Sequence, residues 1–263
     1  MTRHVALLSA GLFLGAIRPV PAADRWELAS FTNDANSGTH NELIPGVAQT
    51  AHDLAGSPDQ DWFVFRAKAR HSYEARVGSG TVIWTTPLCS GCARFDRVSN
   101  VGAILTAGQD DGATHSFQPG TLSVRFIAAA SGNEWLRAVG QNNFAAADTY
   151  DVLLLDTTYF LPRFNNSASQ TTILIVQNAT DAAVSGEAYF YSPAGTLLAT
   201  QPLAIPAQGT AVVNTAGISA LAGQAGSAAI AHTGPYGALA GKAVALEPGT
   251  GFTFDTALVP IPR

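Results

Sequence analysis

The residues of this chain that could do chemistry are few and scattered. Its only two cysteines stand three apart in Thr85-Thr86-Pro87-Leu88-Cys89-Ser90-Gly91-Cys92-Ala93-Arg94. A redox-active Cys-x-x-C needs a helix N-terminus after a strand, where the dipole lowers the thiol pKa. Here the preceding residues, Thr81–Thr86, are β-rich, and Ala93–Val98 alternates without a helical stripe. A structural zinc site needs four ligands, usually from two such pairs, and there is no second pair. Cys89 and Cys92 are therefore read as a disulfide closing a turn that holds Pro87 and Gly91, with redox activity and free thiols as the competing readings. So small a loop contributes only about 2 kcal/mol by chain entropy.

The other chemistries find little support. There is no Gly-x-Ser-x-Gly elbow. His40, His52, His71, His115 and His232 fall in no zincin spacing. Glu42, Glu74, Glu134 and several aspartates are present, but nothing in the sequence pairs two of them as a glycosidase requires. Asp59 and Asp61 lie two apart at a strand start, and Asp110-Asp111 mark a turn. These four are the candidate calcium ligands, since calcium takes six to eight oxygens, often from loop carboxylates and carbonyls. Turn capping by the same side chains is the plainer reading. Trp84 and Trp135 are the candidate ligand-face aromatics for a sugar ring, with burial in or beside the core as the alternative. Trp62, alternating with Val64, is read as core. Asn165-Asn166-Ser167 and Asn178-Ala179-Thr180 match the glycosylation sequon, a signal with meaning only in a chain that meets a glycosylation machinery.

The elements that must position these residues read as strands. Asp61–Ala67, Ser72–Val77, Thr81–Thr86, Ala103–Thr106, Thr121–Ala129, Trp135–Val139 and Tyr150–Asp156 alternate with period two, punctuated by Gly, Pro, Asn and Asp. The composition shifts at Thr157–Pro162: all four tryptophans and both cysteines precede it. Beyond Pro162 the only charged residues are Arg163, Asp181, Glu187, Lys242, Glu247, Asp255 and Arg263. Strands are expected there at Thr171–Asn178, Val184–Tyr191, Thr196–Leu203, Thr210–Asn214, Ser227–His232, Ala238–Leu246 and Gly251–Thr256, the strand count of a β-sandwich. The only helix candidates are Ile218–Leu221 and the alanines around Phe144–Ala147.

The run Ser57-Pro58-Asp59-Gln60-Asp61-Trp62-Phe63-Val64-Phe65-Arg66-Ala67, followed by Tyr73 and by Tyr150-Asp151-Val152-Leu153-Leu154, resembles the bacterial pre-peptidase C-terminal domain family over about residues 45–157. Asp110-Asp111-Gly112 matches its acidic turn. Arg70-His71-Ser72 stands where the family has a glycine before its Tyr strand, and the Cys-x-x-C turn is not part of the pattern. The resemblance implies a jelly-roll-like sandwich in an exported bacterial protein. It also implies a non-catalytic accessory role in secretion, processing or substrate attachment, and related collagen-binding modules hold calcium. Thr171–Asn178 and Gly226-Ser227-Ala228-Ala229-Ile230 resemble, more loosely, C-terminal β-modules of exported bacterial proteins.

The chain starts Met1-Thr2-Arg3-His4, followed by the apolar run Val5–Ile17 and then Val20-Pro21-Ala22-Ala23. This is the pattern of a cleaved secretory signal over 1–23, with an uncleaved anchor as the alternative. Export favours the disulfide. About 240 residues remain, enough for two domains that each bury a core. Hydrophobic residues make up 47% and charged ones 13%, with a net charge of −5, so the chain lacks the clustered Lys and Arg of a nucleic-acid binder. No later segment is long and apolar enough to span a membrane.

The expectation is an all-β chain: a signal peptide (1–23), a polar lead-in (24–44), a jelly-roll-like sandwich (45–157) and a second, Ig-like sandwich (160–263). The expected function is a secreted, periplasmic or cell-surface binding module, non-catalytic, recognising a polymer or envelope component. A structural part of a surface layer or fibre is the alternative, and an exported hydrolase the third reading. No cofactor other than calcium is implied, and the oligomeric state is open.

Overall fold

The structure is a computed structural model that describes residues 36–54, 60–78, 80–84, 92–110, 121–140, 144, 148–167 and 169–261. The signal segment, Asp59, Cys89 and Asp111 lie outside the described residues. Among the described residues, no helix is long and apolar enough to cross a membrane.

The chain is all-β, and every ladder is antiparallel. The first nine strands are β1 (Ala48–Asp53), β2 (Gln60–Ala67), β3 (Ser72–Gly78), β4 (Ala93–Val98), β5 (Ile104–Ala107), β6 (Gln109–Asp110), β7 (Leu122–Ile127), β8 (Gly132–Gly140) and β9 (Thr149–Asp156). They form a five-stranded sheet, β1-β9-β3-β7-β6, and a four-stranded sheet, β2-β8-β4-β5. The two sheets close on one core: Phe63, Phe65, Phe95 and Leu136 from one, Tyr73, Val124, Tyr150 and Leu154 from the other.

The next nine strands are β10 (Tyr159–Asn165), β11 (Thr171–Asn178), β12 (Val184–Tyr191), β13 (Leu197–Ile205), β14 (Thr210–Asn214), β15 (Ala225–His232), β16 (Leu239–Glu247), β17 (Phe252–Ala257) and β18 (Val259–Pro260). They pair as β13-β12-β15-β10-β18 and β14-β11-β16-β17. Leu161, Phe164, Phe190 and Ile230 face Leu174, Val176 and Leu239 across the second core. The two cores share no residue: one draws on 43–154, the other on 159–258.

The period-two pattern explains the faces. In β11, Thr172, Leu174, Val176 and Asn178 are buried, while Ile173 and Ile175 are half-buried on the outer face. The helix candidate Ile218–Leu221 is a single 3-10 turn, Ser219–Leu221, whose Leu221 plugs the second core. Thr81–Thr86 makes only an isolated bridge at Trp84 within its described part. The lead-in is more than a spacer: Glu42 bridges Val64 at the free edge of β2, and Leu43 belongs to the first core.

Candidate functional site

The residues singled out in the sequence do not converge. Trp84 is only 4% exposed, edge-on against Tyr150 and Phe95 at ring separations of 5.0 and 6.4 Å. This corrects its reading as a ligand-face aromatic, because a ring packed on both neighbours has no face left for a sugar. Its indole N–H finds no hydrogen-bond partner among the described residues. Trp135 is half-buried on the outer face of the four-stranded sheet and donates its Nε1–H to the Ser37 carbonyl at 3.1 Å. Trp62 is buried, but outside the core proper. It lies on the opposite face of β2 from Phe63 and Phe65, with the Arg137 guanidinium 5.5 Å from its ring centre. A Cβ on Gly102 would stand 3.5 Å from that ring, so the loop after β4 completes the cover.

The candidate calcium ligands are spread as well. Asp61 is buried in β2 and accepts a short hydrogen bond from the Tyr150 hydroxyl. Its carboxylate thus serves the interior of the first sandwich. Asp110 ends β6, in the other sheet. Among the described residues, no three His, Cys, Asp or Glu side chains stand together as metal ligands. Cys92 is buried, and no described cysteine is a free thiol.

What the structure does bring together is the junction of the two sandwiches. Strand β9 runs into β10 through Thr157-Thr158, both buried. Thr157 N–H donates to the Ser72 carbonyl at 2.8 Å, and Ser72 N–H to Thr158 Oγ1 at 2.9 Å. His232 donates Nε2–H to the Thr157 carbonyl at 2.9 Å and accepts the Gly234 amide at Nδ1 at 3.1 Å, which defines a neutral tautomer. Burial pushes its pKa from 6.5 down to about 4.

Glu74 is the electrostatic centre of this junction. Its side chain is fully buried in β3. It accepts Arg125 Nε at 2.7 Å, Arg76 Nη2 at 2.8 Å and the Tyr236 amide at 2.7 Å. Burial opposes its ionisation, but Arg76, the Tyr236 N–H and Arg125 together outweigh that and hold the carboxyl below its usual range. Nearby, His71 Nδ1 lies 2.7 Å from Asp156 Oδ2, the orienting half of a catalytic dyad. The imidazole packs on Tyr73 and edge-on against Phe160, so the pair braces the β2–β3 turn against β10.

Beside this brace lies a cleft of about 460 Å³ between the sandwiches. On the second sandwich it is lined by Glu187, Tyr189, Leu197 and Thr200, and the row Tyr189–Thr200 on β12 and β13 continues outside the cleft to Ala229 on β15 and Phe160 on β10. The β2–β3 turn leans on this row. His71 packs edge-on against Phe160, and the Arg70 guanidinium lies 5.9 Å from the Tyr189 ring centre. Arg70 holds a left-handed φ of 64°, fixed by its N–H to the Ala128 carbonyl at 2.7 Å. Its guanidinium makes no hydrogen bond or ion pair with any described residue. Tyr189 donates a short hydrogen bond to Glu187, and burial, then that carboxylate, push its phenol pKa up. Ile127, Ala128 and Leu197 form the apolar walls. Sequence reasoning passed over Arg70, Glu187 and Tyr189. The alternation that shapes each strand gives no signal for them, since Arg70 lies in a turn and meets Tyr189 from far away in the chain.

A second surface is the outer face of β14-β11-β16-β17. It carries an open groove of about 390 Å³ over Ile175, Gln177 and Gly241, edged by the Lys242–Asp255 ion pair at 2.8 Å.

No protein-family model matches this chain, and no curated protein matches it in sequence. Among solved structures, a calcium-binding mutant of Bacteroides uniformis beta-glucuronidase 2 aligns at 11% identity with a TM-score of 0.21. That alignment covers 87% of this chain and 30% of the glucuronidase.

Proposed function

We propose that this chain is an exported, non-catalytic binding module that recognises an extracellular polymer or envelope component, seated in the cleft between its two sandwiches. The observation that carries the reading is the Arg70 guanidinium, held in a left-handed turn over Tyr189 with no hydrogen bond or ion pair among the described residues. A non-glycine residue in that conformation costs of order 1–3 kcal/mol and persists where its surroundings impose it. Ligand sites favour domain interfaces, and the cleft falls within the volume range of small-ligand sites. Export rests on the N-terminal signal pattern, and the Cys89–Cys92 turn is taken as a disulfide on the same ground.

The test is co-sedimentation of residues 24–263 with insoluble polysaccharides, collagen and envelopes of the source organism, with and without EDTA. Retention on one of these that is lost in Arg70→Gly supports the cleft reading. Loss with EDTA would bring calcium into the binding and return attention to the Asp59 and Asp61 pair. No retention on any of them overturns the reading.

A second reading, assembly into a surface layer or fibre, is favoured by the edge strand β17. It pairs only with β16 among the described residues and begins at Phe252, 63% exposed. Uncovered edges of low charge invite strand pairing. A mass that rises with concentration in sedimentation velocity would select this reading.

A further inference from the structure

We infer that the cleft at Arg70 selects a polysaccharide in which single carboxylated sugars are separated by neutral ones, an inference that rests on the binding reading above. The argument starts from charge. Arg70 offers one planar guanidinium that rests on the Tyr189 ring with no hydrogen bond or ion pair among the described residues, the group best matched to a carboxylate in two parallel hydrogen bonds. Glu187, on the adjoining wall, supplies one negative charge. The two leave the cleft close to neutral, so one carboxylate is neutralised at Arg70, while a second beside it meets Glu187 and is repelled.

The remaining lining sets the rest of the ligand. Glu187 already accepts the Tyr189 hydroxyl on one oxygen, and a carboxylate has lone pairs left for further donors. Thr200 adds a hydroxyl that both donates and accepts. Leu197, Ile127 and Ala128 supply aliphatic surface for the C–H face of a ring. A carboxylate flanked by hydroxyls on a largely aliphatic ring describes a uronic acid. An acidic peptide fits less well, because adjacent carboxylates would set one against Glu187 and its side chains bring no hydroxyl donors.

Calorimetric titration of residues 24–263 tests this with defined probes: an oligosaccharide alternating glucuronic acid with N-acetylglucosamine, a homopolymeric uronate, a neutral dextran, a sulfated dextran and poly-glutamate. The alternating oligosaccharide is expected to bind best, with an affinity that falls as salt rises. Arg70→Gly removes the guanidinium and suits the left-handed φ, so it should fold at least as stably as the parent. It should weaken binding about ten-fold or more. Glu187→Gln keeps an acceptor for Tyr189 and should raise affinity for the homopolymeric uronate. Dextran binding equally well, poly-glutamate binding better, or Arg70→Gly binding undiminished would each overturn the inference. If Arg70→Gly abolishes retention on an envelope polymer but no uronate binds, the ligand class fails and the cleft stands. If retention is the same in both proteins, the cleft itself fails.

Discussion

The carboxylate of Glu74, on β3 of the first sandwich, accepts the backbone N–H of Tyr236, in the loop after β15 of the second, at 2.7 Å. This bond spans 162 positions of sequence. Arg76 and Arg125, both of the first sandwich, pair with the same carboxylate and hold it in place to accept that N–H across the junction. Such a contact limits how far the walls of the cleft over Tyr189 can part, which would lower the ordering cost for the proposed ligand.

Removing that carboxylate should be costly. Glu74→Ala leaves Arg76 and Arg125 facing each other without their shared partner, a loss of roughly 3–5 kcal/mol for a broken buried pair. Urea denaturation followed by tryptophan fluorescence reads it, since all four tryptophans lie in the first half of the chain. An unchanged midpoint would show that the node contributes nothing to stability.

Acid should loosen the same junction in a defined window. His232 titrates near 6.5 when unfolded and at about 4 when folded, so the unfolded chain binds the proton first as pH falls. Its contribution, roughly 3 kcal/mol, is complete above pH 6.5 and drains away on the way down to about pH 4. Glu74, with its folded pKa depressed below 4.5, adds a further loss beneath that value. In thermal melts against pH, His232→Asn should flatten the upper part of the slope. An identical slope in the variant would place the acid sensitivity elsewhere.

Trp84 gives a stability test of its burial. Trp84→Ala opens a cavity between Tyr150 and Phe95 and should cost about 3–5 kcal/mol. Trp84→Phe keeps the ring contacts and removes an indole N–H that has no partner among the described residues, so it should cost much less. Equal and negligible effects of both would return Trp84 to the surface.

The proposed Cys89–Cys92 disulfide should resist alkylation until reduced. Mass spectrometry of the native protein with iodoacetamide should show no adduct at either cysteine. Reduction should then cost about 2 kcal/mol in urea melts, as expected for so short a loop. Two adducts without reductant would mean free thiols.

Strand by strand, the second half was the more legible. Thr171–Asn178, Val184–Tyr191 and Thr210–Asn214 are strands over the residues the alternation indicates. The segment Thr157–Pro162 reads as a composition break, yet Tyr159–Asn165 is β10, whose Phe160 meets His71 of the first sandwich. Its Pro162 and Arg163 fall in a register break between Leu161 and Phe164, so the alternation is interrupted where the ladder is.

The sequence by itself determined the local choices: strands over helices, their spacing, and which residues of each strand share a face. These follow from a two-residue period that any short window contains. Only the tertiary structure decided which outer faces would be covered. Tyr189 and Glu187 share an outer strand face, and nothing near them in sequence signals that Arg70 will lie over the ring. Trp62 and Trp84 are buried in different surroundings, one under Arg137 and the other against Tyr150. Burial of such faces depends on contacts between residues far apart in the chain, and a period of two carries no information about a neighbour 162 residues away.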